Sequence, residues 1–91
     1  MFRMCGKLVK ANKVLKEHIA IIDDFSLTRT KKVYACLDEI AYAFDIEKPI
    51  WLESNKKDFI HRAKTRFTKD SFIEEVEFDY LDFQVIEEDF M

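Results

Sequence analysis

Glycine and proline are almost absent from this sequence, which has one residue of each in 91. A phosphate-binding loop needs several glycines close together, because the backbone must approach the phosphate without intervening side chains. That class of nucleotide-binding site is therefore excluded. Internal repeats and low-complexity runs are also missing, so we expect one small domain over residues 1–91.

Long apolar segments are missing as well. No run of apolar residues approaches the roughly 20 that cross a bilayer. The first seven residues lack the apolar stretch of a signal peptide. We therefore expect a cytoplasmic chain with no membrane segment.

Cysteine and histidine are scarce, with two residues of each. Cys5 and Cys36 lack the spacing of a metal site, so we interpret them as reduced, buried thiols. Nothing in the sequence ties His18 or His61 to a cysteine, and no nucleophile or cofactor motif is present. We expect no catalytic residue, metal, cofactor or small-molecule substrate, and hence no enzyme. An enzymatic hypothesis would depend on His61 and Asp58, which lie on one face of a predicted helix.

Apolar and aromatic residues are abundant, at 48% and 14% of the chain. This composition is too apolar for intrinsic disorder. A chain of this length can bury roughly 60–65% of its unfolded surface. It can therefore build a core without a disulfide or a metal ion.

Residues 2–22 have the pattern of a β-hairpin. Apolar and polar side chains alternate in two runs, and the second run places Leu15, Ile19 and Ile21 on one face. Asn12 tolerates positive φ, which tight hairpin turns require. Gly6 lies within the first run, where glycine marks a bulge or a close approach to the backbone.

Residues 27–44 are predicted to form a long helix. Their apolar side chains recur every three or four positions, which is the spacing of one helix face. Ser26 or Thr28 can cap the start of this helix, because a hydroxyl oxygen accepts a hydrogen bond from a free backbone N–H of the first turn.

The second half begins at a break in helix formation. Pro49 removes a backbone donor and disfavours helix in the residue before it. Ser54 can cap a short helix over residues 55–64, whose predicted inner face consists of Phe59, Ile60 and Ala63. Residues 65–71 are polar and predicted to be irregular. The alternation that follows predicts a long C-terminal strand, with a bulge or sharp twist where the pattern slips near Tyr80.

Together these elements predict an α+β fold. The N-terminal hairpin and the C-terminal strand form an antiparallel or mixed sheet. One long and one short helix pack on one face of it. The pattern does not determine which hairpin strand lies beside the C-terminal strand.

Several segments of the second half resemble a family of short uncharacterised bacterial proteins of about this length. The matching segments are KPIWL (48–52), KTRF (64–67), DSFIEE (70–75), FDYL (78–81) and VIEED (85–89). The resemblance implies a bacterial, cytosolic, stand-alone protein. The family has no assigned activity, so no functional residue follows from it.

A basic segment covers residues 56–69. Its candidate nucleic-acid-binding residues are Lys56, Lys57, Arg62, Lys64 and Arg66. Basic side chains neutralise phosphates, and interleaved aromatic rings stack on bases. The alternative is a solvated helix face, or one that pairs with acidic residues of the same chain. The net charge of −3 favours this alternative.

Charge is divided unevenly along the chain. Residues 71–91 contain eight acidic side chains and no basic one, whereas residues 1–70 contain 15 basic and 10 acidic side chains. The acidic segment lacks the spacing of a calcium loop, so a metal site is not expected there. Either the two regions pair within one chain, or each binds a different partner.

Aromatic residues are abundant for so small a core. Either the helices and the twisted C-terminal strand cover them, or a patch left outside forms an interface. The predicted interface residues are Trp51, Tyr80, Phe83 and Phe90. The leading hypothesis is therefore a non-catalytic protein-interaction or assembly module, with a homodimer through the sheet edge or an aromatic face as one form of it. Weak binding of nucleic acid or another polyanion through the basic segment is the alternative.

Overall fold

The computed structural model describes residues 1–88. Its elements are β1 (Phe2–Lys10), β2 (Lys13–Ile22), α1 (Arg29–Phe44), α2 (Glu53–Arg62), β3 (Lys64–Thr68), a 3-10 turn (Lys69–Ser71) and β4 (Tyr80–Glu87). The α+β class, the N-terminal hairpin and the two helices are as predicted. No helix among the described residues is both long and apolar enough to cross a bilayer.

The four strands form one antiparallel sheet in the order β2-β1-β4-β3. The C-terminal strand therefore lies beside β1 and not beside β2. It fills the space between β1 and β3, with Met4 opposite Val85 and Thr65 opposite Phe83. The sheet thus has β2 and β3 as its two edges.

The hairpin turn is confirmed at Ala11 and Asn12, whose φ angles are 52° and 64°. Positive φ at both central residues is the conformation whose twist matches that of the flanking strands. The Ala11 N–H also donates a hydrogen bond to Asp79 Oδ2 at 2.8 Å. This contact ties the turn to the segment that leads into β4.

Gly6 was expected to mark either a bulge or a close approach to the backbone, and the structure shows a close approach of α1 to β1. A Cβ atom on Gly6 would lie 2.5 Å from Cγ2 of Ile40, so α1 can sit this near β1 only because residue 6 has no side chain. The irregularity in the β1–β2 pairing lies instead between Leu8 and Val9.

The structure corrects two predictions in the second half. Residues 64–68, part of which was predicted to be irregular, form the edge strand β3, in which Thr65 and Phe67 are buried. The C-terminal strand is shorter than predicted and begins only at Tyr80. The break in the apolar–polar alternation near Tyr80 marks the start of this strand. The segment before Tyr80 is not a strand and crosses the end of the core, where the Phe72 and Phe78 rings lie 5.3 Å apart.

The structure also shows which residues cap the starts of the two helices. Thr28 caps α1, and its Oγ1 accepts a hydrogen bond from the Lys31 N–H at 3.2 Å. The start of α2 is stabilised by Asn55, whose Oδ1 accepts from the Leu52 N–H at 3.1 Å, and not by Ser54 as predicted. The satisfied donor is a first-turn N–H in α1 and the N–H of the N-cap residue in α2.

One face of the sheet packs against both helices. Its buried side chains join those of α1 and α2 in a single apolar cluster that includes Met4, Leu81 and Phe83 from the sheet, Ile40 from α1 and Phe59 from α2. Ile60 is not part of it, although it was predicted to face inward, and is 78% exposed. The buried face of α2 is set by Asn55 and Phe59, one turn apart, and Ile60 lies outside that stripe.

Most side chains on the other face of the sheet, here called the open face, are exposed or half-buried. Directly opposed residues form a row across all four strands, from Glu17 through Lys7 and Asp82 to Arg66. Opposite charges on neighbouring strands attract each other. The row therefore stabilises the strand order on this face.

Candidate functional site

Phe83, one of the predicted interface residues, lies at the centre of the core. Its exposed fraction is 0%. Its ring lies 5.9 Å from that of Phe67, 6.1 Å from Phe59 and 6.2 Å from Trp51. The expectation that Phe83 is available to a partner is wrong, because Leu81, Phe83 and Val85 of β4 face the helices.

Trp51 is half-buried and belongs to the same aromatic cluster. Its ring meets those of Tyr34, Phe59 and Phe67 edge-on, at 6.0, 5.6 and 4.9 Å. Its buried Nε1–H has no hydrogen-bond acceptor among the described residues, but aromatic faces are weak acceptors for such a donor. Trp51 thus anchors the connector between the helices to the core.

Tyr80 lies apart from these residues, on the open face. It is half-buried, and the Arg66 guanidinium sits 4.5 Å from its ring centre. Phe90 lies outside the described residues. The predicted aromatic residues therefore do not form one surface, since Trp51 and Phe83 are on the helix side of the sheet and Tyr80 is on the other.

The basic segment divides between two places. Lys56 and Lys57 are exposed on α2, where Lys56 pairs with Glu53 at 3.6 Å. The other three basic candidates, Arg62, Lys64 and Arg66, line a polar cleft of about 290 Å³ at the β3 edge. Asp58, Thr65 and Asp82 complete its lining. The two carboxylates offset part of the positive charge of this cleft.

The acidic segment pairs mainly with the N-terminal half of the chain. Glu87 lies 2.8 Å from Arg3, and Glu88 pairs with Arg29. The acidic and basic segments also meet, because β4 pairs with β3 over residues 80–84 and 64–68, with Asp82 opposite Arg66. The acidic segment therefore has basic partners both in the N-terminal half of the chain and on β3.

The groups considered for catalysis do not converge. His61 is exposed, and Asp58 accepts a hydrogen bond from the Thr65 hydroxyl at 3.5 Å. Cys5 and Cys36 are buried free thiols, as predicted. Burial raises the pKa of Cys36 to about 12, and burial together with the charge of Glu17 raises the pKa of Cys5. Both thiols are protonated at neutral pH, and thiols are poor nucleophiles in that form.

The edge strand β2 carries an apolar surface that its sequence pattern did not reveal. Ile19 and Ile21 are 43% and 48% exposed, and Val14 is also exposed. These residues share a face, but it is the open face. The helix side of β2 instead contributes Ala20 to the core, and His18, which contacts Glu39 Oε2 at 2.8 Å.

The chain matches no family model, no curated protein and no solved structure. Its resemblance to short bacterial proteins stays a prediction.

Proposed function

We propose that this chain is a non-catalytic interaction module that forms a homodimer through the outer edge of β2. The observation that carries the proposal is the apolar side of that edge strand, where Val14, Ile19 and Ile21 are exposed. Exposed apolar residues grouped on one element are typical of a surface that a partner covers.

The backbone of β2 supports the same conclusion. No strand within residues 1–88 pairs with its outer edge. At ten residues β2 is the longest strand, and it contains no proline. Natural proteins protect exposed edges with short strands, prolines or bulges, because a long free edge pairs readily with another strand. The bulge of β2 lies near its start, opposite Leu8 and Val9, and residues 16–22 keep a regular register. A second copy of β2 would satisfy these backbone groups.

Charge limits the register of such a pair. Two copies related by a two-fold axis pair antiparallel, with one residue opposite its own counterpart. Lys16 or Glu17 in that position would place like charges together, which is destabilising. A register centred on His18 would bring two imidazoles together. A register centred on Ile19 brings two exposed isoleucines together and places Ile21 beside Glu17 of the second copy. We expect Ile19 at the centre.

Replacing Ile19 by lysine is expected to abolish the dimer. The wild-type chain should show a mass of about twice 10.9 kDa by light scattering at high protein concentration and about 0.5 M salt, at which surface charges are screened. Ile19→Lys should show the monomer mass, because the apolar contact at the two-fold axis is lost and two lysine ammonium groups would have to be buried there.

Ile50→Lys is the matched control, since Ile50 is 46% exposed and lies in the connector between the helices, outside β2. It should leave the dimer intact. A wild-type chain that stays monomeric at several hundred micromolar would contradict the proposal.

Binding of single-stranded nucleic acid is the alternative, and the observation that favours it is the convergence of Arg62, Lys64 and Arg66 on one cleft. In this case Arg62→Glu/Lys64→Glu should weaken binding of a single-stranded oligonucleotide by at least about tenfold at low salt, as each lost phosphate contact lowers the affinity. Fluorescence anisotropy measures this. Lys10→Glu/Lys13→Glu, at the hairpin turn, is the control with the same charge change, and equal losses in both variants would reject a specific site.

A further inference from the structure

A second cleft lies between the hairpin, the C-terminal end of α1 and residues 74–78, and has a volume of about 400 Å³. Its lining includes apolar side chains such as Leu8, Val76 and Phe78. Its acidic lining residues are Asp45, Glu47, Glu74, Glu75 and Glu77. Two lysines, Lys10 and Lys16, also line it, so its net charge is negative.

The fold builds this acidic rim from distant parts of the chain. Asp45 ends α1 in a left-handed conformation with φ of 57°, so the negative end of the helix dipole faces the same region. The Glu74 N–H donates a hydrogen bond to Glu47 Oε1 at 3.1 Å, which connects the two acidic segments. Like charges held together in this way favour a cationic partner. The acidic side chains of residues 1–88 do not group as metal ligands do, so the rim is better suited to an extended cationic surface.

A surface of this kind is present on the same chain. The outer face of α2 exposes Lys56, Lys57, Ile60 and His61. Lys56 and Lys57 lie four and three residues before Ile60, and Lys57 lies four before His61, so these side chains are neighbours on one helix face. Ile60 is 78% exposed, with the two lysines one turn before it. An apolar side chain surrounded by basic groups is the complement of an apolar cleft with an acidic rim.

We infer that α2 of one copy docks into the acidic cleft of a second copy, with Ile60 against the apolar floor and Lys56 and Lys57 against the acidic rim. The two surfaces lie on different elements, so the contact is head-to-tail and leaves one cleft and one helix free at the ends of each assembly. It does not involve Ile19 or Ile21, although Leu15 and Lys16 of β2 line the cleft, so the test first removes the β2 pair.

The test uses the full chain with Ile19→Lys, which removes the β2 pair. At low salt the mass of this parent chain should rise with concentration beyond that of a dimer, and about 0.5 M salt should return it to the monomer, because screening weakens contacts between charged surfaces. A parent chain that is monomeric at every concentration and salt would overturn the inference. This result is separate from the high-salt test of the wild-type dimer, so the two proposals can fail independently.

Two further variants in the same background test the orientation. The cleft variant carries Glu75→Lys/Glu77→Lys, and the helix variant carries Lys57→Ser/Ile60→Ser, so that the two altered surfaces do not attract each other. Each alone should be monomeric. An equal mixture should form a dimer of about twice 10.9 kDa and nothing larger, because it contains one intact cleft and one intact helix that can meet.

A mixture that stays monomeric while the parent chain associates would overturn the head-to-tail arrangement. The control carries Asp23→Lys/Lys31→Glu, two exposed positions outside the cleft and outside α2. It should associate as the parent does. Circular dichroism of each variant separates loss of contact from loss of fold, and only variants with the parent's spectrum enter the comparison.

Discussion

Replacing Phe83 by alanine is expected to lower the free energy of unfolding by about 3–5 kcal/mol, the range typical of phenylalanine truncation in a packed core. Phe83 is fully buried, and its ring contacts those of Trp51, Phe59 and Phe67. Removing it leaves a cavity between the sheet and α2 that these large rings cannot easily fill. Urea unfolding followed by tryptophan fluorescence measures the change, since Trp51 lies beside the cavity.

Ile86→Ala is the control on the same strand. Ile86 is 45% exposed, and surface substitutions usually change stability by about 0.5 kcal/mol or less. A loss below about 1 kcal/mol for Phe83→Ala would contradict the central position of this ring in the core.

Replacing Asn55 by alanine is expected to cost about 2–3 kcal/mol, because each buried polar group left without a partner costs about 1–3 kcal/mol. Asn55 is 4% exposed. Its Nδ2 donates to Thr65 Oγ1 at 2.9 Å and to the Arg66 carbonyl at 3.0 Å, and its Oδ1 accepts from the Leu52 N–H. One side chain thus connects the start of α2 to β3.

Two variants sharpen this test by thermal or urea unfolding. Ser54→Ala should have little effect, because Ser54 is exposed and the cap of α2 is made by Asn55. Asn55→Asp keeps the acceptor for Leu52 but loses both donors, so it should destabilise the chain as well, by bringing a carboxylate to the Arg66 carbonyl. Equal stability of Asn55→Ala and Ser54→Ala would show that these hydrogen bonds contribute nothing.

The elements with strong local signals could be predicted from the sequence. The apolar stripe of α1 spans sixteen residues, and Asn12 identifies the hairpin turn. Strand β3 has only five residues, so its two buried positions, Thr65 and Phe67, are too few to establish an alternation. The start of β4 was missed because Val76 and Phe78 mimic the period of a strand, although they lie in the segment that precedes it.

The candidate surfaces were harder to predict, because they depend on which face of the sheet the helices cover. The isoleucines of β2 have the alternation of a buried face, and only the packing of α1 over Ala20 shows that they lie on the open one. The acidic cleft joins residues 45–47 to residues 74–77, which no local pattern relates. Exposure of Ile60 follows from the rotation of α2 about its axis, and Asn55 determines that rotation through partners on β3.

The position of β4 in the sheet has a consequence for how the chain folds. β4 comes later in the sequence than the three other strands, yet it lies between β1 and β3. Until it is added, β1 and β3 have no common neighbour, and β3 has no strand to pair with. The decisive contacts, such as Met4 with Val85, close a loop of most of the chain, and contacts of such long range slow folding. We expect an early hairpin and helix, followed by a late and cooperative insertion of β4 that completes the core.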